Sequence, residues 1–261
     1  MNQVISWTKE DGVATLTIDH PPVNSISEGV VTGLNQAIDE LSADRDVRVV
    51  IVTGSGDHYF VAGGHIKDFP KWIGKGVESG KERAHWIQAP FNKLASLAKP
   101  TIAAINGVAL GGGCELALCC DMRIAEEHAI LGLPEIKLGL FPGAGGTQRL
   151  PRLIGDGKAK ELIFTGKTLS AAEAEIIGLV NEVVPKGNSL EKAKALAFEI
   201  ANHSFPSITR IKKAMQEGLE TTLEEGLQIE ASYFSEVFQT NDVKIGVEAF
   251  LLKKKPTFQH H

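Results

Sequence analysis

The sequence predicts an α/β protein made of stacked ββα units, followed by a helical C-terminal region. Over the first half of the chain, the pattern strand, turn, strand, helix recurs about three times without a clean sequence repeat. Glycine makes up 27 of 261 residues and gathers in clusters such as Gly111-Gly112-Gly113 and Gly143-Ala144-Gly145-Gly146. Clustered glycines mark tight turns and close backbone approach rather than a flexible tail. After Leu190 the chain reads as helix almost throughout.

Each element has a local reason. Residues 13–18 alternate with β-branched side chains and predict a strand, which Pro21-Pro22 ends because proline cannot donate to a sheet ladder. Val30, Leu34, Ile38 and Leu41 share one face of a predicted helix. Residues 46–53 carry a continuous apolar run expected of a buried strand, and residues 59–64 a shorter one closing on two glycines. Residues 66–89 mix Trp72, Trp86, charges and glycines, and read as an irregular or mobile helical stretch. Helix is expected again over 91–98, until Pro100. Residues 101–105 predict a strand, 115–120 a buried helix, 122–125 a short strand, and 129–133 a segment leading into Pro134-Glu135. Ser170 and Glu173 predict a capping box, and 179–184 a last strand. Helices are expected over 192–203, 208–220, 223–238 and 242–252. A soft boundary near residue 196 would divide a core, residues 1–195, from a helical region, residues 196–261, too small to be comfortable alone and in need of a partner surface.

Composition limits the function classes. A net charge of −5 argues against a surface devoted to nucleic acid, and the basic runs 210–213 and 253–255 read as solvated helix faces or ends. Cys114, Cys119 and Cys120 lie in one apolar stretch, give no disulfide framework and lack zinc spacing, so they read as small buried hydrophobes. The N-terminal residues lack the basic and apolar segments of a signal peptide, and no apolar run reaches membrane-spanning length. A cytoplasmic protein with no membrane partner is expected. His260-His261 is too short to read as a metal site.

Several motifs fail. Gly166-Lys167-Thr168 resembles the end of a phosphate loop, but Glu161 stands where its first glycine belongs. Gln148 spoils a dinucleotide fingerprint in the second glycine cluster, and no nucleophile elbow or zinc helix is present. What remains is Glu115, two residues after the first cluster, and Glu135, eight before the second. Two carboxylates among free backbone amides suit acid–base chemistry beside a stabilised oxyanion. The competing reading has the glycines permit tight packing while the glutamates cap helices or pair with Arg123 or Arg149. Pattern alone leaves both open.

Residues 106–117, Asn-Gly-Val-Ala-Leu-Gly-Gly-Gly-Cys-Glu-Leu-Ala, resemble the signature of the crotonase superfamily, in particular its enoyl-CoA hydratases. Residues 133–150 and 60–67 are similar to two further family blocks, and weaker likeness extends over nearly the whole chain. The resemblance implies a crotonase-like (ClpP/crotonase) spiral with C-terminal helices that assemble a homotrimer or homohexamer. It implies an oxyanion hole for a CoA thioester from the amides of Gly64 and Gly112. Glu115 would activate water and Glu135 would protonate the α-carbon, in a hydration belonging to fatty-acid metabolism. Val23, Ala62, His65, Ile66 and Lys67, with Leu110, Pro134 and Gly143, would bind substrate and CoA. No metal or redox cofactor is implied, coenzyme A being part of the substrate. His65 stands where the family usually has aspartate, as a tolerated loop residue or a specificity determinant, and Gly64 replaces the common alanine. Both glutamates favour hydration over a sibling isomerase, a hydratase of a branched or aromatic catabolic pathway is the other near alternative, and the acidic balance weighs against an RNA-binding or non-catalytic relative.

Overall fold

The computed structural model describes residues 4–260, so the first three residues of the N-terminal segment and His261 of the terminal pair lie outside the described residues. The chain opens with a hairpin: β1 (Ile5–Glu10) pairs antiparallel with β2 (Val13–Ile18) across Asp11-Gly12. Both turn residues have positive φ, 47° and 85°, as a twist-matched two-residue turn requires. β1 adds to the strands expected from sequence; only Ile5 of its residues is buried, so its apolar alternation is faint. α1 (Glu28–Ala43) starts at Ser27, whose hydroxyl accepts the Val30 N–H, and buries the predicted face.

The ββα repeat follows. β3 (Val49–Gly54), β5 (Thr101–Ile105) and β7 (Met122–Glu126) lie parallel to β2 in a six-stranded sheet ordered β1-β2-β3-β5-β7-β10, with β10 (Glu182–Val184) at its edge. From each of the three the chain crosses to a second sheet, as β4 (Tyr59–Val61), β6 (Val108–Leu110) and β8 (Ile130–Gly132), which run parallel to one another. β9 (Thr168–Ser170) closes that sheet antiparallel to β8. The helices α2 (Val77–Ala95), α3 (Gly112–Ala117) and α4 (Gly146–Ile154) succeed β4, β6 and β8 in turn. These are the stacked ββα units that the sequence pattern predicts, in the spiral that the resemblance implies.

Both faces of the large sheet are covered, which is why β3 and β5 read as unbroken apolar runs. Val50, Val52, Ala103 and Ile105 join the main core, while the alternate residues Val49, Ile51, Ile102 and Ala104 form a second core. That second core is closed by Ala193, Ala197 and Ala201 of α7 (Ser189–Ala201). The boundary expected near residue 196 therefore falls inside a helix packed on the sheet, and the change in packing comes at the junction of α7 with α8 (Phe205–Gly218). α8 is tied to the body by Lys212, whose buried ammonium donates to Asp121 (2.7 Å) and to the Lys99 carbonyl (3.1 Å). α9 (Leu223–Val237) buries no residue, and α10 (Asn241–Leu251) only Asp242. No helix among the described residues is long and apolar enough to cross a membrane.

Among the helix boundaries that differ from expectation, two bear on the site. The stretch 66–89 is a 3-10 turn (Ile66–Lys71) and then α2, a continuous helix that runs through Pro90 instead of restarting at residue 91. Pro90, Phe91 and Leu94 are buried, and packing outweighs the one backbone bond that proline removes. α3 begins at Gly112, three residues before the expected start, so Gly111 caps it and Gly112 and Gly113 open its first turn. The capping box at Ser170 forms as expected, opening α6 (Ala171–Ile176) after α5 (Asp156–Thr165).

The triplet also explains how closely α3 approaches β4. A Cβ on Gly113 would collide with the Val61 carbonyl, a backbone group that cannot swing aside. Alanine normally favours a helix by ~1 kcal/mol over glycine. Here Gly113→Ala is expected to destabilise by about 1–3 kcal/mol or more through overpacking, read as a lower Tm by circular dichroism. An unchanged or raised Tm would contradict this packing.

Candidate active site

The site grows from the register of the small sheet. β4 and β6 are paired so that Val61 stands opposite Ala109. Three residues beyond each partner lie Gly64 and Gly112, and a Cβ on Gly112 would be 3.8 Å from the Gly64 nitrogen. Ile26 braces the Gly64 loop on both sides: its N–H donates to the Gly63 carbonyl (2.8 Å) and its carbonyl accepts the His65 N–H (3.1 Å). Gly63 has φ 104° and Gly111 φ 53°, conformations that glycine adopts without strain. Among the described residues neither the Gly64 nor the Gly112 N–H has an acceptor. For Gly112 the cause is general, since the first amides of a helix have no partner within it.

Glu115 sits on α3, 3% exposed. Its Oε1 accepts two N–H groups, from Ala144 (2.7 Å) and Gly146 (2.8 Å). The second glycine cluster is shaped for this contact. Gly145 has φ 112°, and a Cβ on Gly146 would lie 3.0 Å from Oε1 and 2.8 Å from Pro142 Cβ. Burial pushes the Glu115 carboxyl up to about 7, the neighbouring Glu135 charge adds to the rise, and the two amides and Arg149 oppose it.

Glu135 opens the 3-10 turn Glu135–Leu138. Burial raises its pKa too. Its Oε1 lies against the first glycine cluster, where a Cβ on Gly111 would be 2.9 Å away, and its buried Oε2 has no partner among the described residues. Each glutamate thus rests on the glycine cluster of the other. Neither forms an ion pair with Arg123 or Arg149: Arg123 is buried against backbone carbonyls, and Arg149 bonds Asn92 (2.6 Å) and the Ala144 carbonyl (3.2 Å).

Both carboxylates line a pocket of about 410 Å³. Of the expected residues, Gly64, Gly112, Ala62, Ile66, Leu110, Pro134 and Gly143 line it as well. Val23, His65 and Lys67 do not. Val23 accepts the Ala62 N–H (3.1 Å), and His65 Nδ1 is 3.0 Å from the Ser25 hydroxyl. Sequence reasoning missed several of the remaining lining residues, of which Phe69, Arg83 and Ile87 come from the 3-10 turn and α2, and Leu140 and Phe141 from the loop before α4. The available signal was the spacing of Gly80, Arg83, Ala84 and Ile87, one face of a helix. The three cysteines are buried, and burial pushes the Cys114 and Cys119 thiols up to about 12, far from thiolate chemistry.

A raised carboxyl pKa has a testable sign. The folded value for Glu115, about 7, exceeds the ordinary 4.5, so folding favours the protonated form. The associated stability is complete below the ordinary value and is lost as pH rises through 7. Glu115→Gln keeps an acceptor for the two amides and removes the charge. It is expected to stabilise the protein by about 1–3 kcal/mol at alkaline pH and to match the native protein near pH 4.5, read as Tm across a pH series. A variant less stable than the native protein at alkaline pH would contradict the buried charge.

The profile of the enoyl-CoA hydratase/isomerase family matches residues 8–261. A Dictyostelium discoideum protein named "Probable enoyl-CoA hydratase, mitochondrial" is 42% identical over 257 residues, covering 98% of this chain and 91% of that one. A crotonyl-CoA hydratase of Syntrophomonas wolfei is 41% identical over 251 residues, covering 96% and 95%. The crystal structure of an enoyl-CoA hydratase from Bacillus anthracis matches with a TM-score of 0.94 at 40% identity, over 99% of this chain and 100% of that one. With the ββα spiral and paired sheets already described, these full-length matches identify the chain as a member of the enoyl-CoA hydratase/isomerase family.

Proposed function

We propose that the protein is an enoyl-CoA hydratase, adding water across the 2,3 double bond of a trans-2-enoyl-CoA to give the 3-hydroxyacyl-CoA. The observation that carries this reading is the presence, in one pocket, of a buried and a half-buried carboxyl group, both with raised pKa, beside two amides without acceptors. The Gly64 and Gly112 amides receive the thioester oxygen as it gains negative charge, and one such donor is worth ~3 kcal/mol in a dry site. Glu115, ionised, takes a proton from water as the hydroxyl bonds to the β-carbon. Glu135, protonated, gives its proton to the α-carbon. One proton shared by the pair is the reactive state, and mutual repulsion favours it. The reaction moves only a proton and a hydroxyl, so it calls for no redox partner. Val23, His65 and Lys67, beside the pocket-lining Ala62 and Ile66, are read as the approach for coenzyme A.

Glu135→Gln, which can no longer donate, is expected to lower kcat with crotonyl-CoA by at least ~10²-fold. Near-normal turnover would sink the assignment. Reaction in heavy-oxygen water separates hydration from isomerisation within the family: a hydratase puts the label on the β-carbon, and an isomerase puts none.

The same reading has the C-terminal helices assemble a homotrimer or a homohexamer. Support comes from a groove between α8 and α9 where Ile211, Met215, Leu219, Leu223, Leu227 and Phe234 stand exposed. An apolar surface of this kind is what subunit contacts bury. Leu227→Glu, on α9, is expected to lower the mass seen by light scattering toward a single chain; an unchanged mass would count against this assembly face.

A further inference from the structure

The lining of the pocket carries one positive side chain among the described residues, Arg83. Gly80, Arg83, Ala84 and Ile87 line the cavity at the spacing of one helix face. Ile87 packs against the main core, whereas a Cβ on Gly80 would meet nothing within 4 Å. Apolar contact thus gives way to open space along α2, and Arg83 stands at the change. Its guanidinium lies over two indole rings, 4.2 Å from the Trp86 centroid and 5.0 Å from that of Trp72.

Those rings hold the planar group by its faces and leave its N–H edge unused. Glu28 and Asp68 act on Arg83 at a distance, but no ion pair or hydrogen bond reaches it, and Asp68 is bonded to Lys71 (2.6 Å). The Trp72 Nε1 is also buried without an acceptor. No protein group among the described residues accepts from the five donors of this half-buried guanidinium, so its N–H edge is open to a ligand in the pocket. Its fork matches a carboxylate in bidentate geometry. A volume of about 410 Å³ lies near the low end of the ~300–1,000 Å³ usual for small ligands. It suits a thioester and a short acyl chain better than the nucleotide end of coenzyme A, so a side chain on its wall meets the acyl group.

We propose that Arg83 is a specificity residue that binds a second carboxylate at the far end of the acyl chain, so that the pocket accepts CoA thioesters of dicarboxylic acids. The choice of an enoyl thioester as reactant rests on the hydratase reading; the binding of the acid does not.

Binding is therefore measured with saturated, unreactive thioesters by calorimetry: glutaryl- and adipyl-CoA against butyryl- and hexanoyl-CoA. The native protein is expected to bind at least one acid about 10–100-fold more tightly than its neutral counterpart. Arg83→Met should abolish that preference, and Arg83→Lys should restore part of it. No preference in the native protein, or a loss in Arg83→Met equal for acids and neutral chains, overturns the proposal. Butyryl-pantetheine, which lacks the nucleotide phosphates, identifies one cause of an equal loss: an effect on butyryl-CoA that vanishes there assigns Arg83 to a phosphate and overturns the proposal. Hydration of crotonyl-CoA is assayed separately. Its failure with acid preference intact sinks the hydratase reading alone, and hydration without acid preference sinks the Arg83 proposal alone.

Discussion

A carboxylate held out of water is the constraint around which this protein is built. Glu115 is buried, and a buried charge is tolerated only where hydrogen-bond donors meet it. Two amides, from Ala144 and Gly146, do so at one oxygen. For them to converge, the loop before α4 must bend at Gly145 and must carry no side chain at Gly146. The second glycine cluster is thus a mould for Glu115, although Glu135 is its nearer glutamate in sequence. Glu135 in turn lies over Gly111 of the first cluster. The two segments lock together reciprocally, and neither could form its half of the arrangement in isolation.

The amides without acceptors have a different origin, in strand register. Pairing of Val61 with Ala109 brings two separate chain reversals side by side, and Gly64 and Gly112 are equally far along each. A slip of one residue between β4 and β6 would separate them. Phe60 and Val61 of β4 are both buried in the main core, and such a slip would displace two packed side chains. The large sheet, with both faces covered, supplies the rigid support on which these short strands end.

Legibility in the sequence followed the range of the interaction involved. Ser27 and Ser170 act on amides three residues away, and the latter's capping box was visible as a local pattern. The buried runs of β3 and β5 showed through composition alone. The start of α3 did not, because glycine is a poor helix former and only contact with β4 keeps Gly112 and Gly113 helical. Pro90 misleads for the same reason: it is buried with Phe91 and Leu94 against the core, and that packing exists only in the folded molecule. The two long glycine-rich blocks made both glutamates legible as a resemblance. Which cluster holds which glutamate depends on contacts between residues about thirty positions apart, and no spacing in the sequence records them.

These differences also divide the pocket by the kind of constraint each wall obeys. The wall bearing Glu115, Glu135 and the two amides is made largely of backbone, and its glycines have little freedom: a methyl group on Gly111, Gly113 or Gly146 meets an oxygen or carbon within 3.0 Å. The rest of the lining is made of side chains, several of them on α2, and a Cβ on Gly80 meets nothing. Substitution on α2 can therefore reshape the space for an acyl chain without moving the donors and carboxyl groups. Mutation of the backbone wall would disturb packing and chemistry together. In the proposed hydratase, a site divided in this way would keep its reaction centre fixed while a helix that can vary independently sets the choice of substrate.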